Sequence, residues 1–317
     1  MKILVLGAGG IGGYFGGRMA ESGADVTFLV RPKRRAQLDE DGLRIESPFG
    51  NARLEVKTVG AEDLRPGYDL VFFTCKEYDL ESAMEAIAPA MTGGCAVVPM
   101  LNGLSHFDRL DARFGRDNVI GGTCQINVAL REDGVVVHDG KVHRLTFGER
   151  DGAKSARTEA FAALLAKTKF DHVLSDNIQQ ELWNKLVFLA ALAATCCLFR
   201  GNVAEINSAP GGTAVMERAI ATNLAIAARE GYPLTDKVAD FARARLVDRT
   251  GGWSASMLRD METGKPTEGD HIVGFMLEKA RAHGLDDSVL SLALTHLKTY
   301  DARRAARRLP SGGGAAR

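Results

Sequence analysis

Short apolar runs alternate with longer amphipathic segments in the first half of the chain. An uninterrupted apolar run of four to six residues is typical of a strand that is buried on both faces. Strands that alternate with helices predict a doubly wound parallel sheet, the Rossmann-type α/β fold. The predicted strands are Lys2–Leu6, Asp25–Val30, Asp69–Thr74, Cys95–Pro99, Val119–Leu130 and Gly134–His138, and the predicted helices are Ile11–Ser22 and Leu80–Met91.

After about residue 175 the pattern becomes helical throughout, and no alternation of the strand type returns. We therefore expect three regions: a Rossmann-type domain at 1–176, an all-α domain at 177–303, and a disordered tail at 304–317. The predicted helices of the second domain are Ile178–Phe199, Gly211–Glu230, Thr235–Arg249, Asp270–His283 and Asp287–Arg304.

Charge and hydropathy exclude several classes of partner. The 317 residues carry a formal net charge of zero, so no overall field attracts nucleic acid or an anionic membrane. The longest apolar run, Leu186–Phe199, is shorter than the roughly 20 residues that a membrane-spanning helix needs. We expect it to be a buried core helix. The N-terminus lacks the features of a signal peptide, which favours a cytoplasmic protein.

The five cysteines show neither a C-x-x-C motif nor a spacing typical of a metal site, and we expect no metal. Cys196 and Cys197 are adjacent inside the apolar run and are interpreted as core thiols. An odd number of cysteines also fits a reducing compartment.

A glycine-rich turn directly follows the first predicted strand and opens the first predicted helix. In this context the first glycine allows the tight turn and the second lets the backbone approach a pyrophosphate. The third glycine lets the helix pack closely on the strand, and the helix N-terminus provides N–H donors. The turn predicts a dinucleotide site formed by Gly7, Ala8, Gly9, Gly10, Ile11 and Gly12.

The residues after the second strand indicate which dinucleotide binds. NAD-preferring sites usually carry a carboxylate there, for the ribose hydroxyls. Here the sequence is Arg31-Pro-Lys33-Arg34-Arg35, without a carboxylate. Cations at this point suit the additional phosphate of NADPH, with Arg31 as the first candidate and Lys33 or Arg34 next. The alternative is a solvated basic loop.

Four further segments matter together with the glycine turn. They are Phe73-Thr-Cys-Lys76, Leu101-Asn102-Gly103, Glu181-Leu-Trp-Asn-Lys185-Leu, and Ser256-Met-Leu-Arg-Asp260 with Glu268. In order and spacing they resemble the ketopantoate reductase (2-dehydropantoate 2-reductase) family, from residue 1 to about 300. The most specific parts of the resemblance are E-L-W-x-K-L and S-M-L-x-D followed by a glutamate.

The resemblance implies NADPH-dependent reduction of ketopantoate to pantoate, in pantothenate biosynthesis. It implies that Lys185 is the catalytic proton donor and that Glu268 and Ser256 bind the substrate. Asn102 would orient both the nicotinamide and the lysine, and Lys76 would lie near the cofactor. Each residue also has an ordinary structural interpretation. Lys185 would be an exposed helix lysine paired with Glu181, and Glu268 and Ser256 would be residues at a helix start. Asn102 would belong to an Asn-Gly turn, and Lys76 would be a surface lysine.

Three positions depart from the family pattern. Leu189, Ala193 and Val273 stand where the family has asparagines that face the substrate. Either other groups such as Thr267 or His271 supply the contacts, or the substrate is a less polar 2-keto acid. We expect His271 to face solvent. A dehydrogenase for another hydroxy acid and a non-catalytic NADP-binding sensor remain alternatives, as does a homodimer formed through the helical domain.

Overall fold

The computed structural model describes residues 1–309 and forms two compact units. The first unit consists of Met1–Leu101 and His106–Glu181. The second consists of the short segment Asn102–Ser105 and the chain from Leu182 onward. The structural division in the chain therefore falls at Glu181, inside a long helix, whereas the bounds 1–176 and 177–303 stay a prediction.

Every strand in residues 1–309 belongs to the first unit. The parallel strands that the apolar runs predicted all form, within about two residues at either end. The strands are β1 (Lys2–Leu6), β2 (Asp25–Leu29), β3 (Leu43–Glu46), β4 (Ala52–Leu54), β5 (Lys57–Val59), β6 (Leu70–Phe73), β7 (Ala96–Pro99), β8 (Gly121–Leu130), β9 (Val136–Gly148) and β10 (Asp171–Leu174).

The helices divide between the units, and α6 begins in the first unit and continues into the second. A π-helical turn, Asp270–Gly274, precedes α11. The helices of residues 1–309 are α1 (Gly10–Glu21), α2 (Pro32–Asp41), α3 (Leu80–Ile87), α4 (His106–Phe114), α5 (Ala156–Leu165), α6 (Ile178–Phe199), α7 (Val203–Ser208), α8 (Gly212–Arg229), α9 (Asp236–Leu246), α10 (Ser256–Glu262), α11 (Phe275–Ala282) and α12 (Ser288–Ala305).

The first sheet has the strand order β5-β2-β1-β6-β7, and all of its pairs are parallel. The chain moves outward from β1 to β2 and then returns to the opposite side of β1 to form β6. This reversal places a topological switch point beside the carboxyl end of β1, where open α/β sheets bind their ligands. The predicted Rossmann-type fold is confirmed.

A second, mixed sheet completes the first unit, with the order β10-β9-β3-β4 and with β8 paired to β9. The predicted strand Gly134–His138 proves too short, since β9 runs on to Gly148. Its middle part, Asp139-Gly-Lys-Val-His143-Arg, is polar and largely exposed, so it lacks the apolar run that the prediction required. Antiparallel pairing with β8 supplies the strand structure instead.

Helix α2 was missed for a similar reason. It contains the basic stretch, which the sequence analysis treated as a possible solvated loop. Its single buried residue is Leu38, so no apolar stripe marks it as a helix. Pro32 occupies the first helical position, where its fixed φ favours helix initiation.

All regular elements of the second unit within the described residues are helices, as predicted. Helix α6 is long and apolar enough to cross a membrane, but 67% of its apolar window is buried in the structure, as in a core helix. Cys196 and Cys197 are fully buried on it, which confirms them as core thiols; burial raises the pKa of Cys196 to about 11. Helix α12 ends at Ala305, two residues into the predicted tail, and the tail from residue 310 lies outside the described residues.

Candidate active site

The glycine turn has the geometry that a dinucleotide-binding turn requires. Gly7 adopts φ +83°, which favours glycine, and its N–H donates to the carbonyl of Leu29 at 2.8 Å. The N-cap of α1 is Gly9, which contributes no capping side chain, and the first turn of the helix contains no acidic residue. The helix N-terminus and its dipole therefore favour an anion.

Two glycines of the turn have different surroundings. A Cβ added at Gly9 would meet nothing within 4 Å, so this glycine leaves open space beside the turn. A Cβ added at Gly12 would overlap the carbonyl oxygen of Gly7 and the hydroxyl of Thr74. Gly12 thus allows α1 to cross close to β1, while Gly9 leaves room for a ligand. This is the division of roles that the motif predicted.

Thr74, at the carboxyl end of β6, is a supporting residue that the sequence analysis did not single out. Its hydroxyl donates to the carbonyl of Leu6 at 2.6 Å. It thereby connects the ends of β1 and β6 below the glycine turn. Its position at the end of a predicted strand next to the switch point was the signal that could have identified it.

The cations after β2 do not share one role. Arg31 caps α2, its side chain is 74% exposed, and it pairs with Asp79 at 2.9 Å. The guanidinium of Arg34 is instead bonded to the backbone of the first unit. Its Nε donates to the Ala8 carbonyl at 3.0 Å, and one terminal nitrogen donates to the Gly134 carbonyl at 2.9 Å. Arg31 and the exposed Lys33 are therefore the better candidates for a phosphate of the cofactor.

Lys76 lies three residues after β6, at the carboxyl edge of the first sheet. It is half-buried and precedes a 3₁₀ turn that leads into α3. This edge is where the predicted cofactor site lies, so the position fits the expected role. Its contact with a cofactor stays a prediction.

The residues expected at the substrate, Asn102, Lys185, Ser256 and Glu268, all belong to the second unit. Lys185 lies in the second turn of α6 and is half-buried. Leu189 and Ala193 follow at intervals of four residues and so share its face of the helix.

The three positions that depart from the family pattern are apolar and packed. Ala193 and Val273 are 1% and 0% exposed and belong to the main core of the unit, and Leu189 packs against that core. None of the three has a polar group to offer a substrate. Thr267 is a poor replacement, because its hydroxyl donates to Asp301 at 2.8 Å.

Ser256 and Glu268 each lie at the start of a helical segment. The N-cap of α10 is Ala255, so Ser256 is at the first helical position and not at the N-cap. Glu268 precedes the π-helical turn and is only 3% exposed. A carboxylate this deeply buried is stable only when hydrogen-bond donors or a cation satisfy it.

His271 is buried, and the expectation that it faces solvent is wrong. Only 3% of the residue is exposed, and its ring contacts two residues of the segment Asn102–Ser105. Nε2 hydrogen-bonds to the carbonyl oxygen of Asn102, and Nδ1 to the hydroxyl of Ser105. His271 follows Glu268 by one helical turn, and both residues are buried.

Among residues 1–309, no group of three or more histidine, cysteine, aspartate or glutamate side chains could hold a metal ion. The described residues offer a glycine-rich turn in one unit, and a lysine, a buried carboxylate, a serine and an amide in the other.

Comparison with known families gives two matches that together cover most of the chain. Residues 3–152 match the family described as "Ketopantoate reductase PanE/ApbA". Residues 177–301 match the family described as "Ketopantoate reductase PanE/ApbA C terminal". The two matched segments correspond to the Rossmann-type and the helical parts.

Individual relatives extend over nearly the whole length. An uncharacterized oxidoreductase, YkpB, of Bacillus subtilis (strain 168) is 35% identical over 304 residues, which is 96% of this chain and 100% of the relative. The crystal structure of a PanE/ApbA family ketopantoate reductase from Ralstonia eutropha JMP134 is similar with a TM-score of 0.87 and 26% identity, covering 96% and 100% of the two chains.

The same fold also occurs in an enzyme named for a different substrate. A ternary structure of D-mandelate dehydrogenase with NADH and anilino(oxo)acetate is similar with a TM-score of 0.85, over 96% of this chain and 99% of that one. At 21% identity this likeness shows the fold alone. The fold is therefore compatible with more than one 2-hydroxy acid.

Proposed function

The chain belongs to the ketopantoate reductase family of oxidoreductases, which act on a CH–OH group, and we propose that it reduces ketopantoate to pantoate with NADPH. Membership confirms the resemblance read from the sequence. The observation that carries the proposal is that the chain has both sets of residues that the reaction requires. These are the glycine turn with open space at Gly9 in the first unit, and Lys185 with the buried Glu268 in the second.

The glycine turn fits a dinucleotide because of the contrast between Gly9 and Gly12. The open space at Gly9 suits a pyrophosphate, which the N-terminus of α1 would hold. Arg31 would pair with the additional phosphate that distinguishes NADPH from NADH, and Lys33 would assist it. When bound, NADPH supplies the hydride that reduces the keto carbon.

Lys185 would act on the oxygen of that keto group. As the carbon is reduced, negative charge develops on the oxygen, and an ammonium group stabilises this charge and then donates a proton. Half-burial of Lys185 on α6 reduces the competition from water for this interaction.

Three other side chains would hold the substrate. The buried carboxylate of Glu268 can accept a hydrogen bond from a hydroxyl of the substrate, and the hydroxyl of Ser256, at the first helical position of α10, can donate to the substrate carboxylate. The amide of Asn102 would orient the nicotinamide and Lys185. These roles follow the family resemblance.

A second substrate class is favoured by one specific observation. Leu189, Ala193 and Val273 replace three amide side chains with apolar groups. A site that lacks such groups does not discriminate strongly for a polar substrate. The alternative function is therefore NADPH-dependent reduction of a less polar 2-keto acid.

Steady-state kinetics on a panel of 2-keto acids tests the proposal. Purified protein is assayed with NADPH and with NADH against ketopantoate and against 2-keto acids with bulkier, apolar side chains. The highest kcat/KM for ketopantoate with NADPH supports the main proposal, and a higher value for an apolar keto acid supports the alternative. Retained NADPH binding without turnover of any member of the panel would contradict both and favour a cofactor-binding sensor.

A place in pantothenate biosynthesis, a cytoplasmic location and a homodimer are further parts of the proposal. The first depends on ketopantoate being the substrate. The oligomeric state is measured directly by light scattering coupled to size-exclusion chromatography.

A further inference from the structure

The imidazole of His271 connects two segments that carry proposed site residues. The segment Asn102–Ser105 follows β7 in sequence, yet it belongs to the second unit. His271 lies three residues after Glu268, in the π-helical turn. Because its ring contacts both Asn102 and Ser105, it ties the Asn102 segment to the chain that carries Glu268.

The carbonyl of Asn102 determines which nitrogen of the neutral His271 ring carries a hydrogen. The carbonyl oxygen of Asn102 can only accept, so Nε2 of His271 must carry a hydrogen. In the neutral ring, Nδ1 then accepts from the hydroxyl of Ser105. Both ring nitrogens thus bond to a four-residue segment, which fixes the plane of the ring and the orientation of the Asn102–Gly103 peptide.

The Asn102 segment is shaped to receive this ring. Gly103 has φ +82°, and a Cβ there would lie 2.7 Å from both Cδ2 and Nε2 of His271. Glycine therefore provides both the left-handed backbone and the space for the imidazole. The neighbouring Leu104 packs against the core of the unit and anchors the segment a second time.

The segment before His271 is held independently by α12. The hydroxyl of Tyr300 donates to the carbonyl of Lys265 at 2.9 Å, and the hydroxyl of Thr267 donates to Asp301. A Cβ on Gly269 would lie 3.2 Å from Leu297, so the turn and α12 are in close contact. The backbone that carries His271 is therefore held in place by α12, so the His271 ring can fix the position of Asn102.

We propose that His271 is a positioning residue, which holds the peptide of Asn102 in a fixed relation to Glu268 and so directs the Asn102 amide. This inference rests on the proposed function, since it depends on Asn102 acting in the reaction. His271 itself contacts backbone and a serine in the structure, and its effect on turnover would pass through Asn102. A displacement of about 1 Å at a reacting centre can cost on the order of 100-fold in rate.

A double-mutant cycle tests this route. The single variants are His271→Leu and Asn102→Ala, and His283→Leu is the matched control, because His283 pairs with Glu230 at the far end of α11. We expect His271→Leu to lower kcat by about 10- to 100-fold, with little change in KM for the keto acid. In the Asn102→Ala background the same change should have almost no further effect. Losses that multiply, or a loss no larger than that of the control, would overturn the proposal.

A conservative variant separates positioning from simple support of the fold. His271→Gln keeps a donor where Nε2 lies and should recover most of the rate that His271→Leu loses. A glutamine variant as slow as the leucine variant, with an unchanged melting temperature in both, would count against the proposal.

Hydrogen exchange provides a readout that does not depend on activity. Exchange at residues 102–105 of the free protein should rise about 10-fold or more in His271→Leu and stay near wild type in His283→Leu. If no 2-keto acid is turned over, the proposed function fails, yet this measurement still decides whether His271 holds the Asn102 segment. Unchanged exchange in His271→Leu would show that it does not.

Discussion

The guanidinium of Arg34 donates from Nε to the carbonyl oxygen of Ala8 at 3.0 Å, so a cation of the basic stretch is bonded directly to the glycine turn. A second nitrogen donates to the carbonyl of Gly134, in the connection between β8 and β9. Arg34 therefore connects the glycine turn to the loop between two strands of the second sheet. Arg31, three residues earlier, has a largely exposed side chain that pairs with Asp79 instead of with the glycine turn.

This difference predicts distinct effects on the two nicotinamide cofactors. Arg31→Ala should weaken NADPH binding by about 10- to 100-fold and leave NADH binding nearly unchanged, because it removes a charge-assisted bond to the additional phosphate. Arg34→Met should weaken both cofactors by similar factors, since it loosens the turn that they share. Dissociation constants from protein fluorescence measure both effects. Equal losses for the two cofactors in Arg31→Ala would contradict the assignment.

Two alanine substitutions in the glycine turn should distinguish a loss of NADPH affinity from a loss of protein stability. Gly12→Ala forces a methyl group against the Gly7 backbone and should cost about 1–3 kcal/mol of stability or more. Gly9→Ala meets open space and has φ −79°, so its melting temperature should stay near wild type while NADPH affinity falls. Calorimetry and cofactor titration on both variants provide the check. Normal NADPH affinity in Gly9→Ala would mean that the pyrophosphate does not lie there.

Lys185→Ala should abolish most of the turnover. We expect kcat to fall by about 100- to 10,000-fold, which is the usual contribution of a positioned proton donor, while NADPH affinity changes little. Lys279→Ala is the control, because Lys279 pairs with Glu230 on the same unit and has no proposed role. A Lys185→Ala enzyme within a few-fold of wild type would exclude the lysine as proton donor.

A pair of histidines in the first unit should make stability depend on pH. The hydroxyl of Tyr14 hydrogen-bonds to Nδ1 of His143 at 2.7 Å, and the His138 and His143 rings stack with centroids 5.5 Å apart. Burial lowers the pKa of both, and for His143 the neighbouring His138 and Arg18 lower it further. The folded protein therefore favours the neutral rings.

Because the folded pKa lies below the unfolded one, stability is complete above about pH 6.5 and falls as the pH drops below it. The combined change Tyr14→Phe and His143→Phe removes one titrating ring together with its partner and should flatten this dependence. Urea unfolding at a series of pH values measures the slope. A slope as steep as that of wild type would contradict the assignment to this pair.

The sequence predicted the parts of the molecule in which local pattern and tertiary structure agree. Strands β1, β2, β6 and β7 and most of α6 are apolar runs, and the glycine turn stands between a strand and a helix, as its motif requires. Strand β5 of the same sheet has no such run and was not predicted. The predicted bounds of α6, Ile178–Phe199, match the structure at both ends.

The missed features depend on contacts between distant residues. Helix α2 has one buried residue, and β9 is polar in its middle, so neither shows a periodic signal. His271 is buried because its ring bonds to Asn102 and Ser105, which lie about 170 residues earlier in the chain and which no local pattern connects to it. Arg34 was grouped with the other cations because nothing in a single sequence shows that its donors reach Ala8 and Gly134.

The most direct test of the central claim follows the hydride itself. Purified protein is supplied with ketopantoate, or the best keto acid of the panel, and with NADPH that carries deuterium at the transferred position of nicotinamide C4. The account predicts a 2-hydroxy acid with a single deuterium on the carbon that bears the new hydroxyl, formed by Lys185→Ala at a rate lower by about the same 100- to 10,000-fold as its kcat. Oxidation of the cofactor without a deuterated hydroxy acid would contradict it.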